Sequence, residues 1–152
     1  MRRRRASFAA ELRAVPLLGP LDDDQIADLA HRALRAHEPA GMVFAKEGER
    51  GDEMVVVLEG EVEVRRGDVV LARLGPGDYV GEMALLDQEP VRRATVVACT
   101  PVVVAYLARH DVEVVLAEAP AVLEELRATI AARTPSPPSS SSSPPPASPS
   151  DG

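Results

Sequence analysis

Gly81-Glu82 and Arg92-Arg93 frame the stretch of this sequence best equipped for chemistry, Tyr-Val-Gly-Glu-Met-Ala-Leu-Leu-Asp-Gln-Glu-Pro-Val-Arg-Arg-Ala-Thr-Val over residues 79–96. A glycine and a carboxylate open a one-turn apolar segment. A polar turn follows, and two arginines lead into a β-rich run. Unpaired backbone N–H groups at the start of a helical turn attract an anion. An arginine reaching back grips the same anion with two parallel hydrogen bonds. The carboxylate of Glu82 accepts hydrogen bonds only, so it suits a sugar hydroxyl and repels a phosphate. Together these groups ask for a ligand that carries both a sugar and a phosphate.

The flanking sequence predicts a β scaffold for this segment. Asp22 and Gln25 form a capping-box pair ahead of Ile26, Leu29, Ala30, Ala33 and Leu34, whose spacing predicts an amphipathic helix over 23–35. From His37 the period changes. Met42 to Ala45 is a short apolar run, Lys46 to Asp52 a glycine-bearing turn, and Met54 to Leu58 a continuous apolar strand. Glu61 to Arg65 alternates, with Val62 and Val64 on one face and Glu61, Glu63 and Arg65 on the other. Gly67-Asp68 makes a two-residue hairpin turn to a strand over Val69 to Leu74, which Gly75-Pro76-Gly77-Asp78 closes. Val96 to Ala98 and Val102 to Leu107 are the last strands. Many short strands with Gly or Asp turns between them predict an antiparallel double-sheet jelly roll with flanking helices, mainly β. Helix returns in Asp111 to Ala117 and again from Pro120, ending near Arg133 because Pro135 disfavours helix for the residue before it.

Composition sets bounds. The 152 residues suffice for one domain with a full core, and with aromatics at 3% the aliphatic residues must fill it. Residues 1–14 read as a basic, poorly ordered N-terminus that turns helical, 15–133 as the domain, and 134–152 as a disordered tail in which fifteen of 19 residues are Ser or Pro. No apolar run is long enough to span a membrane, and no apolar stretch follows Arg2 to Arg5 to make a secretory signal. Cys99 is the only cysteine, which fits a reducing cytoplasm. A net charge of −7 argues against nucleic-acid binding. Arg4-Arg5-Ala6-Ser7-Phe8 has the pattern of a basophilic serine-kinase site. His31, His37 and His110 are scattered and no nucleophile elbow or P-loop is present, so neither a metal site, a catalytic site nor any cofactor is expected.

Gly81-Glu82-Met83-Ala84-Leu85-Leu86, then Pro90, then Arg92-Arg93-Ala94-Thr95-Val96, resembles the phosphate-binding cassette of the cyclic-nucleotide-binding domain family. That family includes bacterial catabolite activators, regulatory subunits of cAMP-dependent kinase and cyclic-nucleotide-gated channels. The resemblance runs from about Val15 to Arg133, through Pro16-Leu17-Leu18, Ala40-Gly41-Met42-Val43-Phe44, Glu47-Gly48-Glu49-Arg50-Gly51-Asp52-Glu53, Gly60 and Gly75-Pro76-Gly77-Asp78. It implies that Glu82 accepts from the ribose 2′-hydroxyl and that Arg92 pairs with the cyclic phosphate. It also implies that Gly81, Met83, Ala84 and Leu85 form the turn whose N–H groups face that phosphate, and that Leu71 lies beneath the base. The expected ligand is a cyclic nucleotide, cAMP rather than cGMP.

Two departures from the family pattern matter. Arg93 stands where a small residue is usual; it either points to solvent, adds a phosphate contact or obstructs the base. The final helix stops about where the family's base-covering residues begin, so Leu126 or Ile130 folds over the base, or a partner chain does, or the site stays open. Val122, Leu123, Leu126 and Ile130 form a stripe that either pairs two chains or packs on the barrel. No output domain is legible after Arg133, so a stand-alone sensor passing a helix movement to another protein is expected. A fold of this kind that binds no nucleotide and serves as an interaction module is the alternative.

Overall fold

The computed structural model describes residues 7–81 and 92–133. Among these residues, eight strands form two four-stranded antiparallel sheets. They are β1 (Leu34–Glu38), β2 (Val43–Ala45), β3 (Glu53–Glu59), β4 (Val62–Arg66), β5 (Val69–Leu74), β6 (Tyr79–Val80), β7 (Thr95–Ala98) and β8 (Val102–Ala108). One sheet has the order β1-β8-β3-β6 and the other β2-β7-β4-β5. Helices α1 (Phe8–Arg13), α2 (Asp23–Arg32), α3 (Arg109–Val115) and α4 (Pro120–Arg133) flank them, with a 3-10 turn at Pro16–Leu18.

The two sheets differ because their surroundings differ. Strands β3 and β8 of the β1-β8-β3-β6 sheet are covered on both faces. Met54 and Val56 of β3 point into a helical core with Leu12, Leu18, Ile26, Leu29, Leu126 and Ile130. Val55 and Val57 point into an inter-sheet core with Val62, Val96 and Val104. A strand buried on both sides must be apolar at every position, which is why residues 54–58 and 102–107 read as unbroken apolar runs. The second sheet has one face toward solvent, so β4 alternates. Glu63 lies on that outer face, yet it is only 7% exposed. Arg65 Nε at 2.7 Å and Arg73 at 3.1 Å cover it. The hydrogen bond from Arg65, helped by the charges of Arg65 and Arg73, holds the Glu63 carboxyl below the usual carboxylate range against the opposing effect of burial.

Two expectations need correction, and of the alternatives left open for the C-terminal stripe the described residues show packing on the barrel. First, the helix expected over 23–35 ends at Arg32. Its capping box is present, with Gln25 N donating to Asp22 Oδ1 and Asp22 N to Gln25 Oε1, both at 2.8 Å. At the other end Ala33 turns extended (ψ 160) and Leu34 begins β1, paired with Tyr106. Ladder pairing with β8 outweighs the helical spacing of Leu34, which is 62% exposed. Second, the folded part begins before Val15. Ser7 caps α1 by accepting from Ala10 N at 3.0 Å, Leu12 is fully buried, and Glu11 holds Arg35 of β1 by two bonds of 2.7 and 3.1 Å. In that stripe, Leu126 and Ile130 are 1% and 0% exposed inside the helical core, with Val122 and Leu123 packed against it. In this arrangement neither Leu126 nor Ile130 is available as a lid or as a seam for a homodimer. Residues 1–6 and the tail from 134 lie outside the described residues.

Candidate functional site

Arg92 sits where the turn before β3 meets the lead-in to β7. Its backbone is tied to that turn in both directions, with Arg92 N donating to Glu49 O at 2.6 Å and Gly48 N donating to Arg92 O at 2.9 Å. Its side chain returns to the same segment, where Nη2 donates to Glu53 O at 2.9 Å. The rest of the turn is laced down nearby. Glu47 N donates to Thr95 Oγ1 at 3.1 Å, Gly67 N to Glu47 Oε1 at 3.2 Å, and Arg66 Nε to the Arg93 carbonyl at 3.2 Å. A hairpin tip, a glycine turn and an arginine pair thus form one polar cluster from three separate parts of the chain.

Two glycines flank the guanidinium. A β-carbon at Gly51 would lie 2.4 Å from Arg92 Nη2, 2.5 Å from Nε and 2.6 Å from Cζ. One at Gly81 would lie 2.6 Å from Nη1 and 2.8 Å from the Glu53 carbonyl oxygen. Gly81 also has φ +75, a left-handed conformation that L side chains adopt rarely. The cation therefore lies against bare backbone on two sides. A guanidinium presents five N–H donors in a rigid fork. The one donated to Glu53 leaves it the capacity for an anion as well.

The residues expected to form the site fall out as follows. Gly81 and Arg92, at the two ends of the cassette, are in contact distance of one another. Arg93 is exposed, and its carbonyl accepts from Arg66. Leu71 is on the edge strand β5, where the register shifts from Val64↔Ala72 to Arg65↔Val70, and it is 47% exposed beside Val69 and Val70 at 61% and 49%. Glu82, Met83, Ala84 and Leu85 lie outside the described residues. Gly51 and the Glu53 carbonyl are additions. Sequence reading treats Gly51 only as a turn glycine, and nothing local links it to an arginine from another part of the chain.

A second concavity is chemically poorer. A cleft of about 290 Å³ is lined by Pro16, Leu17, Gly77, Asp78, Tyr79 and Thr129. Its Thr129 hydroxyl already donates to Glu125 O, and the Asp78 carboxylate accepts from Gly75 N. Among the described residues no group of three His, Cys, Asp or Glu could hold a metal ion, and no helix is long and apolar enough to cross a membrane.

The double-sheet barrel is that of a cyclic-nucleotide-binding domain. The family model for the cyclic nucleotide-binding domain matches residues 36–119, more than half of the chain, and the protein belongs to that family. A cyclic nucleotide-gated potassium channel of Rhizobium etli is 38% identical over 126 residues, covering 82% of this chain and 35% of the channel. A cAMP-dependent protein kinase regulatory subunit of Aspergillus fumigatus is 40% identical over 112 residues, covering 70% of this chain and 26% of the subunit. The chain thus spans about a third or less of the length of these curated relatives. Among solved structures, the N-terminal domain of a transcriptional regulator from Streptomyces coelicolor superposes with a TM-score of 0.69 at 34% identity, covering 81% of this chain and 89% of that one.

Proposed function

We propose that this domain is a non-catalytic cytoplasmic sensor of a cyclic nucleotide, cAMP in preference to cGMP. Arg92 pairs with the cyclic phosphate, the turn from Gly81 through Met83, Ala84 and Leu85 offers backbone N–H groups to it, and Glu82 accepts from the ribose 2′-hydroxyl. The observation that carries the reading is the placement of the Arg92 guanidinium between Gly51 and Gly81, fastened to the Glu53 carbonyl, within the family-matched stretch. A cation set that way has its orientation decided before an anion arrives, which lowers the cost of binding.

The same contacts supply a route to the helices. Glu53, which holds Arg92, follows Asp52, whose carbonyl accepts from Arg109 N at 2.9 Å. Arg109 is the first residue of α3 and pairs with Glu113, which also contacts Arg127 of α4. A ligand that draws on Arg92 pulls on residues 52–53 and so on the start of α3. It shifts the helices only by the difference in its contacts between the two arrangements. A downstream protein reads that shift.

Calorimetry and thermal-shift titration with cAMP and cGMP test the proposal, alongside Glu82→Ala and Arg92→Ala. Binding of cAMP by the native chain, and its weakening in both variants, is expected. Absence of heat and of any melting shift at millimolar nucleotide would leave an interaction module with the family's fold and no nucleotide ligand.

A further inference from the structure

Gly51 lies outside the cassette, yet three guanidinium atoms of Arg92 approach the place where its β-carbon would be, at 2.4, 2.5 and 2.6 Å. Real β-carbons do not come that close to another heavy atom. Gly51, unlike Gly81, is not among the glycines with positive φ, so its backbone would accept an L side chain without strain. Nothing else within 4 Å is nearer the β-carbon position than the Arg92 guanidinium. The requirement for glycine is therefore steric, and the three nearest obstacles belong to one residue far along the chain.

We infer that Gly51 is the positioning residue for the phosphate-binding arginine. It forms the flat wall that lets the Arg92 fork lie between residue 51 and Gly81 while Nη2 reaches the Glu53 carbonyl. The displaced group on adding a methyl is the end of a flexible side chain. The fold yields easily; the direction of the guanidinium does not survive. Gly51→Ala should consequently leave the barrel intact and move the cation. This inference rests on the reading of Arg92 as an anion-binding group, and it extends that reading to a residue outside the cassette.

The experiment compares the native chain, Gly51→Ala, Arg92→Ala and the double variant by titration with cAMP. It adds ¹⁵N spectra of the arginine Nε–H groups without nucleotide, in which Arg92→Lys assigns the Arg92 signal. Expected are a melting temperature of Gly51→Ala within a few degrees of native, an Arg92 Nε–H signal moved to the position of exposed arginines, and affinity lowered about tenfold or more. That factor corresponds to losing one hydrogen bond to a charged group. The double variant should bind no more weakly than Arg92→Ala, because Gly51 acts through Arg92 alone. Native affinity in Gly51→Ala, losses that add in the double variant, or an unmoved Nε–H signal would each overturn the inference. If the native chain binds no cyclic nucleotide, the functional proposal fails, and the nucleotide-free spectra still decide whether Gly51 positions Arg92.

Discussion

Glycines in this fold are required for different reasons, and the reasons predict different failures. At Gly60 the backbone has φ +89, and an added β-carbon would meet the Pro101 carbonyl oxygen at 2.4 Å and Val102 Cγ1 at 2.7 Å. Backbone cannot move aside as an arginine tip can. Gly60→Ala should cost about 1–3 kcal/mol of folding stability, the range for a residue forced into a sparsely populated conformation. Urea denaturation measures this, and an unchanged midpoint would refute it. Arg92→Ala should act in the opposite way, sparing the fold while removing roughly 2–5 kcal/mol of nucleotide binding, the usual effect of truncating one partner of a hydrogen-bonded charge pair. Calorimetry reads that loss directly. The linear sequence singles out Gly81, Glu82 and Arg92 because residue types and spacing carry that information. It is silent on Gly51, whose role exists only once the turn at 46–52 folds against Arg92.

At the scale of elements, the outer face of the β2-β7-β4-β5 sheet is held by charge as well as by pairing. Glu63 accepts from Arg65 and meets Arg73 on β5, directly opposite it in register. Because these arginines lower the pKa of Glu63 in the folded chain, its contribution to stability is present above the unfolded carboxylate pKa. It is lost as pH falls through the lower, folded value. Glu63→Gln should flatten the acid limb of a stability-against-pH curve measured by urea denaturation, and identical acid limbs would refute the assignment. Tyr106 faces the other extreme. Burial, then the hydrogen bond to Glu38 at 2.9 Å, raises its pKa, so the hydroxyl stays neutral and contributes until strongly alkaline pH. Alternation along β4 made its two faces legible in the sequence. That Glu63 would be nearly buried on the outer face was not legible, since its cover comes partly from Arg73 on another strand.

For the whole molecule, the decisive feature is one core shared by helices at both ends of the chain. Leu12 of α1, Ile26 and Leu29 of α2, Met54 of β3 and Ile130 of α4 pack in a single cluster. Ile130→Ala should lower stability by about 2–5 kcal/mol, the cost of emptying a fully buried aliphatic site, with no change in association state. Thermal denaturation combined with sedimentation checks both halves. A stable variant that loses self-association would instead make the α4 stripe a seam between chains.

Strands β2 to β5, β7 and β8, the hairpin at Gly67-Asp68, the α2 capping box and membership of the family were legible in the residues, because each depends on neighbours close in the chain, whereas β1 and β6 were not. Periodicity, turn chemistry and motif spacing are local properties. The end of α2 at Arg32 was not legible, since Leu34 has the right spacing for a helix and only its pairing with Tyr106 on a distant strand draws it into a sheet. The same holds for the destination of the α4 stripe. An apolar face states that something must cover it, and only the packing of α1, the 3-10 turn and β3 shows that this chain covers it itself. The cradle around Arg92 belongs with these. The anion chemistry proposed for it is written in residues 81–93, but the wall opposite Gly81 is brought up from a segment far away in sequence, 39 residues separating Arg92 from Glu53.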